Sequence, residues 1–421
     1  MSILTNVIVN NKYQLVKKVG SGSYGIVYSA RHLSSNTNKL YAIKLILKDH
    51  PSMKKSKHKA TKQKDTKYLI ERFEQDLHDI ALNNNGLISA NLLDLDLIKE
   101  KGHNCKILKE ISIQLKVHKH PNILSIYRVY DNQISLIVVM DYYPEGDLFA
   151  AIVTKQLYKN DPKLIKDVFL QLIDALSYCH AQRVYHCDLK PENVLVANNG
   201  TKMILADFGL SLTSSFIDSN ICLGSSFYMA PERIQNFNNG FDDLHNLTDK
   251  HGGIVKFPTS AGDVWSLIVI LINFISIRNP WAKASLDDIT FKSYLKDYKV
   301  LMKILPISKD CCKMLSRYLV LDPWKRGSLL QLRYDFLKLN HLSKEGPLSI
   351  SCGVDVSESM MCQIPVDHTM SLSDEDIQIS QRTSSSSTLE IETEEQDPFL
   401  LKSEVSSICR WNLKYPYALY N

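Results

Sequence analysis

The run Val184-Tyr185-His186-Cys187-Asp188-Leu189-Lys190-Pro191-Glu192-Asn193 sets an aspartate, a lysine and an asparagine at short fixed offsets. Fourteen residues after Asn193 comes Asp207-Phe208-Gly209. A chain that uses both segments must bring them to one point. Phosphoryl transfer from a nucleotide needs this set of groups. An aspartate orients the attacking hydroxyl and accepts its proton, a lysine neutralises charge on the transferring group, and an asparagine and a second carboxylate ligate Mg²⁺. On that reading Asp188, Lys190 and Asn193 are catalytic, and Asn193 and Asp207 hold the metal. A chance loop would not explain the second motif at this distance.

Gly20-Ser21-Gly22-Ser23-Tyr24-Gly25 lies between two strand-like stretches, Tyr13-Gln14-Leu15-Val16 and Ile26-Val27-Tyr28. Glycine there lets backbone approach phosphates with no Cβ in the way. Alone, a GxGxxG would equally fit a dinucleotide-binding turn. No helix signal opens directly behind these glycines, which favours a hairpin. Tyr41-Ala42-Ile43-Lys44 supplies a cation for the α and β phosphates. A Walker loop is excluded, because its lysine belongs in the same turn as its glycines.

In this order, from Tyr13 to about Leu342, the motifs resemble those of the eukaryotic protein kinases. Lys190-Pro191-Glu192-Asn193 is the Ser/Thr form. Gly224-Ser225-Ser226-Phe227-Tyr228-Met229-Ala230-Pro231-Glu232 resembles the end of their activation loop. Gly262-Asp263-Val264-Trp265 resembles the start of their buried central helix, and Asp322-Pro323-Trp324-Lys325-Arg326 a late structural element. A narrower resemblance is to the fungal Ran/Pat and Sks/Vhs/Ksp nutrient- and meiosis-signalling kinases. It rests on Glu110-Ile111-Ser112 ahead of His120-Pro121-Asn122-Ile123 and on Tyr185-His186-Cys187-Asp188-Leu189. It rests also on Ala261-Gly262-Asp263-Val264-Trp265 leading to Arg278-Asn279-Pro280-Trp281.

The resemblance implies an α+β, bilobal fold. A small N-lobe has a five-stranded antiparallel sheet and one helix, and the larger C-lobe is mainly helical. Residues 1–12 would be an N-terminal segment and 13–342 the kinase domain. The N-lobe would run over about 13–142 with an insertion at about 45–99, and the C-lobe over about 143–342 with an insertion at about 235–258. The reaction implied is transfer of the γ-phosphate of ATP, with Mg²⁺, to Ser or Thr hydroxyls of protein substrates. Gly20, Ser21, Gly22, Ser23 and Gly25 would cover the phosphates. Val27, Ala42 and Leu195 would sandwich the adenine, a role compatible with ordinary core packing. Met140 would be the gatekeeper, Asp141 and Tyr143 would offer backbone groups to the adenine edge, and Asp147 would serve the ribose. Glu110 would hold Lys44, with Glu100 as the alternative, since the stretch between lysine and glutamate is several times longer than is usual in the family. Arg326 would pair with Glu232 structurally.

Three other functions share parts of this pattern. A pseudokinase scaffold would have lost Lys44, Asp188, Asn193 or Asp207, and all are present. A small-molecule kinase of related fold would lack the Lys-Pro-Glu-Asn and Ala-Pro-Glu segments. A dual-specificity kinase shares the same motifs.

The chain departs from the family pattern in places. Cys187 stands where most kinases carry an arginine that pairs with a phosphate on the activation loop. A thiol cannot make that charge-assisted pair, so loop phosphorylation should matter less. Cys187 is either a buried structural thiol or a redox sensor. Ile268 replaces a usual glycine, and Gln114 a usual apolar residue. The tract from Lys48 to Lys67 is rich in lysine, which fits nuclear import or a solvated loop. It lacks interleaved aromatics, so direct nucleic-acid binding is not expected.

With 421 residues, one two-lobed unit plus a tail is the economical count. The net charge of +5 is modest, and the nine cysteines have irregular spacing. With no signal-peptide pattern, they are expected to be reduced thiols in the cytoplasm or nucleus. The apolar stretch from Val264 to Ile277 is short for a membrane span and fits a buried helix. No membrane association and a monomer are expected. Residues 343–421 form an acidic, Ser/Thr-rich tail whose composition predicts disorder.

Overall fold

The computed structural model describes residues 2–22, 25–35, 38–48, 62–218, 224–234 and 256–344. Ser23, most of the lysine-rich tract, most of the second insertion and the tail lie outside the described residues.

The N-lobe is built on an eight-stranded sheet. In chain order its strands are β1 (Ile8–Val9), β2 (Tyr13–Gly22), β3 (Gly25–His32), β4 (Leu40–Leu47), β5 (Leu87–Ile88), β6 (Asn91–Leu93), β7 (Ile126–Asp131) and β8 (Ser135–Asp141). Spatially the order is β5-β1-β2-β3-β4-β8-β7-β6. The five strands expected are β2, β3, β4, β8 and β7, paired antiparallel. The sheet is larger than that expectation, because the first residues and the first insertion add short strands at both edges. One added pair, β1 with β5, is parallel.

Both faces of this sheet are covered. In β4, Ile43 and Leu45 belong to one apolar cluster and Ala42 and Ile46 to another, as strand alternation requires. Helix α1 (Lys62–Leu82), from the first insertion, buries Ile70, Phe73, Leu77 and Ala81 against the outer face. Helix α2 (Leu95–Lys101) is capped by the Asp94 carboxylate. Helix α3 (Lys106–Val117) buries Leu108, Ile111 and Leu115 against the inner face.

The first residues join the lobe instead of preceding it. Leu4, Val7 and Val9 are buried in the outer cluster. The buried Glu74 carboxylate of α1 accepts hydrogen bonds from Ser2 Oγ at 2.8 Å, from Lys18 Nζ at 2.7 Å and from the Tyr28 hydroxyl. It thus ties the N-terminus and the insertion to β2 and β3, the two strands of the glycine-rich hairpin.

The C-lobe is mainly helical, with α4 (Pro162–Ala181), α5 (Thr259–Ser276), α6 (Ile289–Lys296), α7 (Val300–Ile304), α8 (Lys309–Leu315) and α9 (Leu329–Lys338). Two antiparallel strand pairs accompany them, β9 (Val194–Ala197) with β10 (Lys202–Leu205) and β11 (Phe216–Asp218) with β12 (Lys256–Pro258). Helix α5 is apolar enough to cross a membrane by composition, but 83% of it is buried within the protein. It is the core helix on which the C-lobe packs, and Ile268 is fully buried in it.

Candidate active site

Residues 185–193 run between α4 and β9, and buried groups fix their path. Tyr185 and Leu212 exchange backbone hydrogen bonds of 2.9 Å. Asp263, in the first turns of α5, is 1% exposed. Its carboxylate accepts the N–H groups of His186 and Cys187 at 2.8 Å each, and meets His180 Nε2 at 2.8 Å. Burial opposes its charge, but the bond from His180 and the other donors prevail and hold the Asp263 carboxyl below its ordinary value. Cys187 takes a left-handed backbone, φ 64°, which is uncommon for a side chain with a Cβ. The two amides held by Asp263 keep it there.

This path presents Asp188. Its Oδ2 accepts from Lys190 Nζ at 2.7 Å, and its Oδ1 from Ser225 Oγ at 3.0 Å. Lys190 also donates to Ser225 Oγ at 2.9 Å. The Asn193 amide donates to the Asp188 backbone oxygen at 2.8 Å, and its carbonyl oxygen remains for another partner. Gly224, at φ 108°, brings Ser225 in close. A Cβ there would stand 2.8 Å from the Cys187 carbonyl oxygen.

Lys44 Nζ meets Glu110 Oε1 at 2.6 Å. Glu100 lies exposed on α2, so α3 supplies the partner. Burial works against the Lys44 ammonium, but Glu110 and then Asp207 outweigh it, and the pKa is held above its ordinary value. Asp207 has φ 59°, and its Oδ1 accepts the Gly209 N–H at 3.1 Å. Phe208 is fully buried, with its ring 5.2 Å from that of His186. The lysine, both carboxylates and the catalytic loop are therefore assembled together. Lys44→Ala and Glu110→Ala should each lower kcat/KM, and the pair should be non-additive by about 0.5–3 kcal/mol. A double-mutant cycle on kcat/KM checks this. Strict additivity, or a silent Glu110→Ala, would show that the pair does not act as a unit.

Val27, Ala42, Met140, Tyr143 and Leu195 fall in one apolar cluster at the mouth of this site. Ala42 and Met140 face each other across β4 and β8. The Asp141 side chain turns to Lys39 at 2.9 Å and Tyr127 at 2.8 Å, so its backbone groups carry any contact with a base. Asp147 caps the following helical turn by accepting the Ala150 N–H at 2.8 Å. Gly20 and Gly22 lie on β2, and a Cβ at either would meet nothing within 4 Å. Among the described residues nothing crowds either position, so the backbone of the hairpin faces open space there. Ser21 is exposed on the same strand, and Ser23 lies outside the described residues. Gly25 differs, because a Cβ there would strike the Leu45 carbonyl oxygen at 2.2 Å.

The protein kinase domain family matches residues 83–336. The chain belongs to the protein kinase family. The kinase is 37% identical over 375 residues to the serine/threonine-protein kinase VHS1 of Saccharomyces cerevisiae, covering 88% of this chain and 79% of that one. It is 37% identical over 384 residues to the serine/threonine-protein kinase SKS1 of the same yeast, covering 88% and 73%. It is 32% identical over 335 residues to a negative regulator of sexual conjugation and meiosis of Schizosaccharomyces pombe, covering 78% and 60%. The kinase is therefore a Ser/Thr protein kinase of the Sks/Vhs/Ksp type. Sequence reasoning missed Asp263 as the organiser of the catalytic loop. The signal was its place beside Gly262 and Trp265, noted only as a helix start.

Proposed function

We propose that the kinase transfers the γ-phosphate of ATP to Ser or Thr hydroxyls of protein substrates, with Mg²⁺ held by Asp207 and Asn193. The observation that carries this reading is the hydrogen-bonded set of Asp188, Lys190, Asn193 and Ser225 beside a closed Lys44–Glu110 pair. Among the described residues no group of three or more His, Cys, Asp and Glu side chains could hold a metal alone. One carboxylate and one amide oxygen fit Mg²⁺, which takes few protein ligands and completes its shell with phosphates and water. When bound it would neutralise charge on those phosphates. Asp188 would orient the acceptor hydroxyl and take its proton. Lys190 would offset charge on the phosphoryl group, and Lys44, braced by Glu110, would hold the nucleotide.

The setting is proposed to be nutrient or meiosis signalling; the name of the fission-yeast relative, a negative regulator of sexual conjugation and meiosis, supports the second. The kinase is proposed to work as a monomer in the cytoplasm or nucleus; the five described cysteines, all free and buried, fit a reducing compartment. Incubation with radiolabelled ATP, Mg²⁺ and dephosphorylated casein, followed by phosphoamino-acid analysis, tests the activity. Phosphoserine and phosphothreonine are expected. Phosphotyrosine would favour the dual-specificity reading, and no label would overturn both.

Activation follows from the same geometry. The segment after Asp207 is stitched to α5 by bonds from Thr259 N to Ser215 O at 2.9 Å and from Thr259 Oγ1 to Ser214 O at 2.8 Å. β11 pairs with β12, and the Tyr185 hydroxyl donates to Ser215 Oγ at 3.1 Å. None of these bonds needs a phosphate. Phosphatase-treated enzyme should keep most of its activity. Ser225→Ala, which removes a hydroxyl bonded to two charged groups, should cost about tenfold. A large loss on phosphatase treatment, restored by rephosphorylating Ser214 or Ser215, would refute this.

A further inference from the structure

The catalytic loop carries no cation at position 187. Burial pushes the Cys187 thiol up to about 11, despite Arg233 beside it, so the thiol stays neutral and is poorly suited to redox sensing. A cation nevertheless reaches this point from elsewhere in the chain. Arg233, which follows the Ala230-Pro231-Glu232 segment, is 4% exposed. One terminal nitrogen of its guanidinium donates to the Thr259 carbonyl oxygen at 3.2 Å. Its flat face lies against Gly262, where an added Cβ would come within 3.0–3.1 Å of the guanidinium. On the loop side it is an electrostatic neighbour of the Cys187 side chain, whose thiol donates to the Tyr185 carbonyl oxygen at 3.5 Å. Glu232 is already taken by Arg326 through two bonds of 2.8 Å. Arg233 is thus left to serve Cys187 and the field of Asp263, the carboxylate that holds the amides of residues 186 and 187.

We infer that Arg233 is a positioning residue for the catalytic loop. Its guanidinium, enclosed by Cys187, Thr259 and Gly262, fixes the end of the activation segment against the loop that presents Asp188, with no phosphate required. Two fittings make this possible. Cys187 is a short, buried side chain where arginine would be long and charged, and Gly262 leaves room for the guanidinium on the helix side. Arginine at both 187 and 233 would set two buried guanidinium groups against each other with only Asp263 to share, which is unfavourable. A cation delivered by the segment itself is permanent, whereas one that waits for a loop phosphate is conditional. This inference rests on the transfer activity proposed above.

The test compares the unsubstituted enzyme with Arg233→Met, Arg233→Lys, Cys187→Arg and the double variant Cys187→Arg/Arg233→Met. Each is assayed on dephosphorylated casein before and after phosphatase treatment, with thermal unfolding followed alongside. Arg233→Met should lower kcat by about tenfold with the KM for ATP unchanged, and Arg233→Lys should recover part of it. Cys187→Arg should be impaired, and adding Arg233→Met to it should raise activity and make that activity sensitive to phosphatase. A folded Arg233→Met enzyme with undiminished kcat would overturn the inference. If Arg233→Met does not fold, a double variant no more active than Cys187→Arg would do the same. Either result beside an active unsubstituted enzyme leaves the transfer reading standing. An inactive unsubstituted enzyme removes both.

Discussion

Asp188→Asn is expected to slow phosphoryl transfer by roughly 10²–10⁴-fold, the usual contribution of a positioned general base, while fold and nucleotide binding persist. The substitution keeps the shape of the side chain but removes its charge and its basicity. It also places an amide against Lys190 Nζ, now 2.7 Å from Oδ2, or against Ser225 Oγ, now 3.0 Å from Oδ1. The backbone of the loop should hold, because Asp263 grips residues 186 and 187 and Asn193 grips the Asp188 carbonyl. Single-turnover transfer, measured beside nucleotide binding and thermal unfolding, separates chemistry from folding. An enzyme retaining near-normal single-turnover rates would remove Asp188 from the mechanism.

Arg326→Met should destabilise the protein by about 3–5 kcal/mol, the range for breaking one half of a buried ion pair. The Arg326 and Glu232 side chains are 0% and 1% exposed and joined by two bonds of 2.8 Å. Arg326 also donates to the Ala261 carbonyl at 2.7 Å and to Val320 O at 3.0 Å, and its guanidinium lies 4.9 Å from the Trp265 ring centre. Methionine would fill much of the volume but leave the buried Glu232 charge without the two bonds that Arg326 gives it. Replacing Glu232 by leucine in the same protein should therefore recover part of the loss, since an apolar pair no longer strands a charge. Urea unfolding of the single and double variants measures both effects. A loss below about 1 kcal/mol, the scale of an exposed pair, would mean that Glu232 finds another partner.

The reacting groups were legible in the chain because their chemistry is local. Asp188, Lys190 and Asn193 sit within one loop, and Asp207 follows one hairpin later, so fixed spacing alone nearly sets their geometry. The apolar alternation of β4 and the glycines of the hairpin read in the same way. The order of the motifs was enough to imply two lobes and the Ser/Thr kinase assignment.

Long-range partners were legible only where the resemblance named them, as it did for Lys44 with Glu110 and Arg326 with Glu232. Lys44 and Glu110 are 66 positions apart; the expectation favoured Glu110 over Glu100, and the packing of α3 under the sheet is what brings Glu110 to Lys44. The extra strands and the α1 cover appear only when Ile70, Phe73 and Leu77 meet the outer face of the sheet, a surface that exists only once β2, β3 and β4 have paired. Asp263 showed in the chain only as part of a helix start and Arg233 not at all, because their partners lie on other segments. The sequence by itself determined which groups are available for phosphoryl transfer. The tertiary structure decided which buried charges hold those groups in place, since a charge taken out of water must find its partner wherever the fold supplies one.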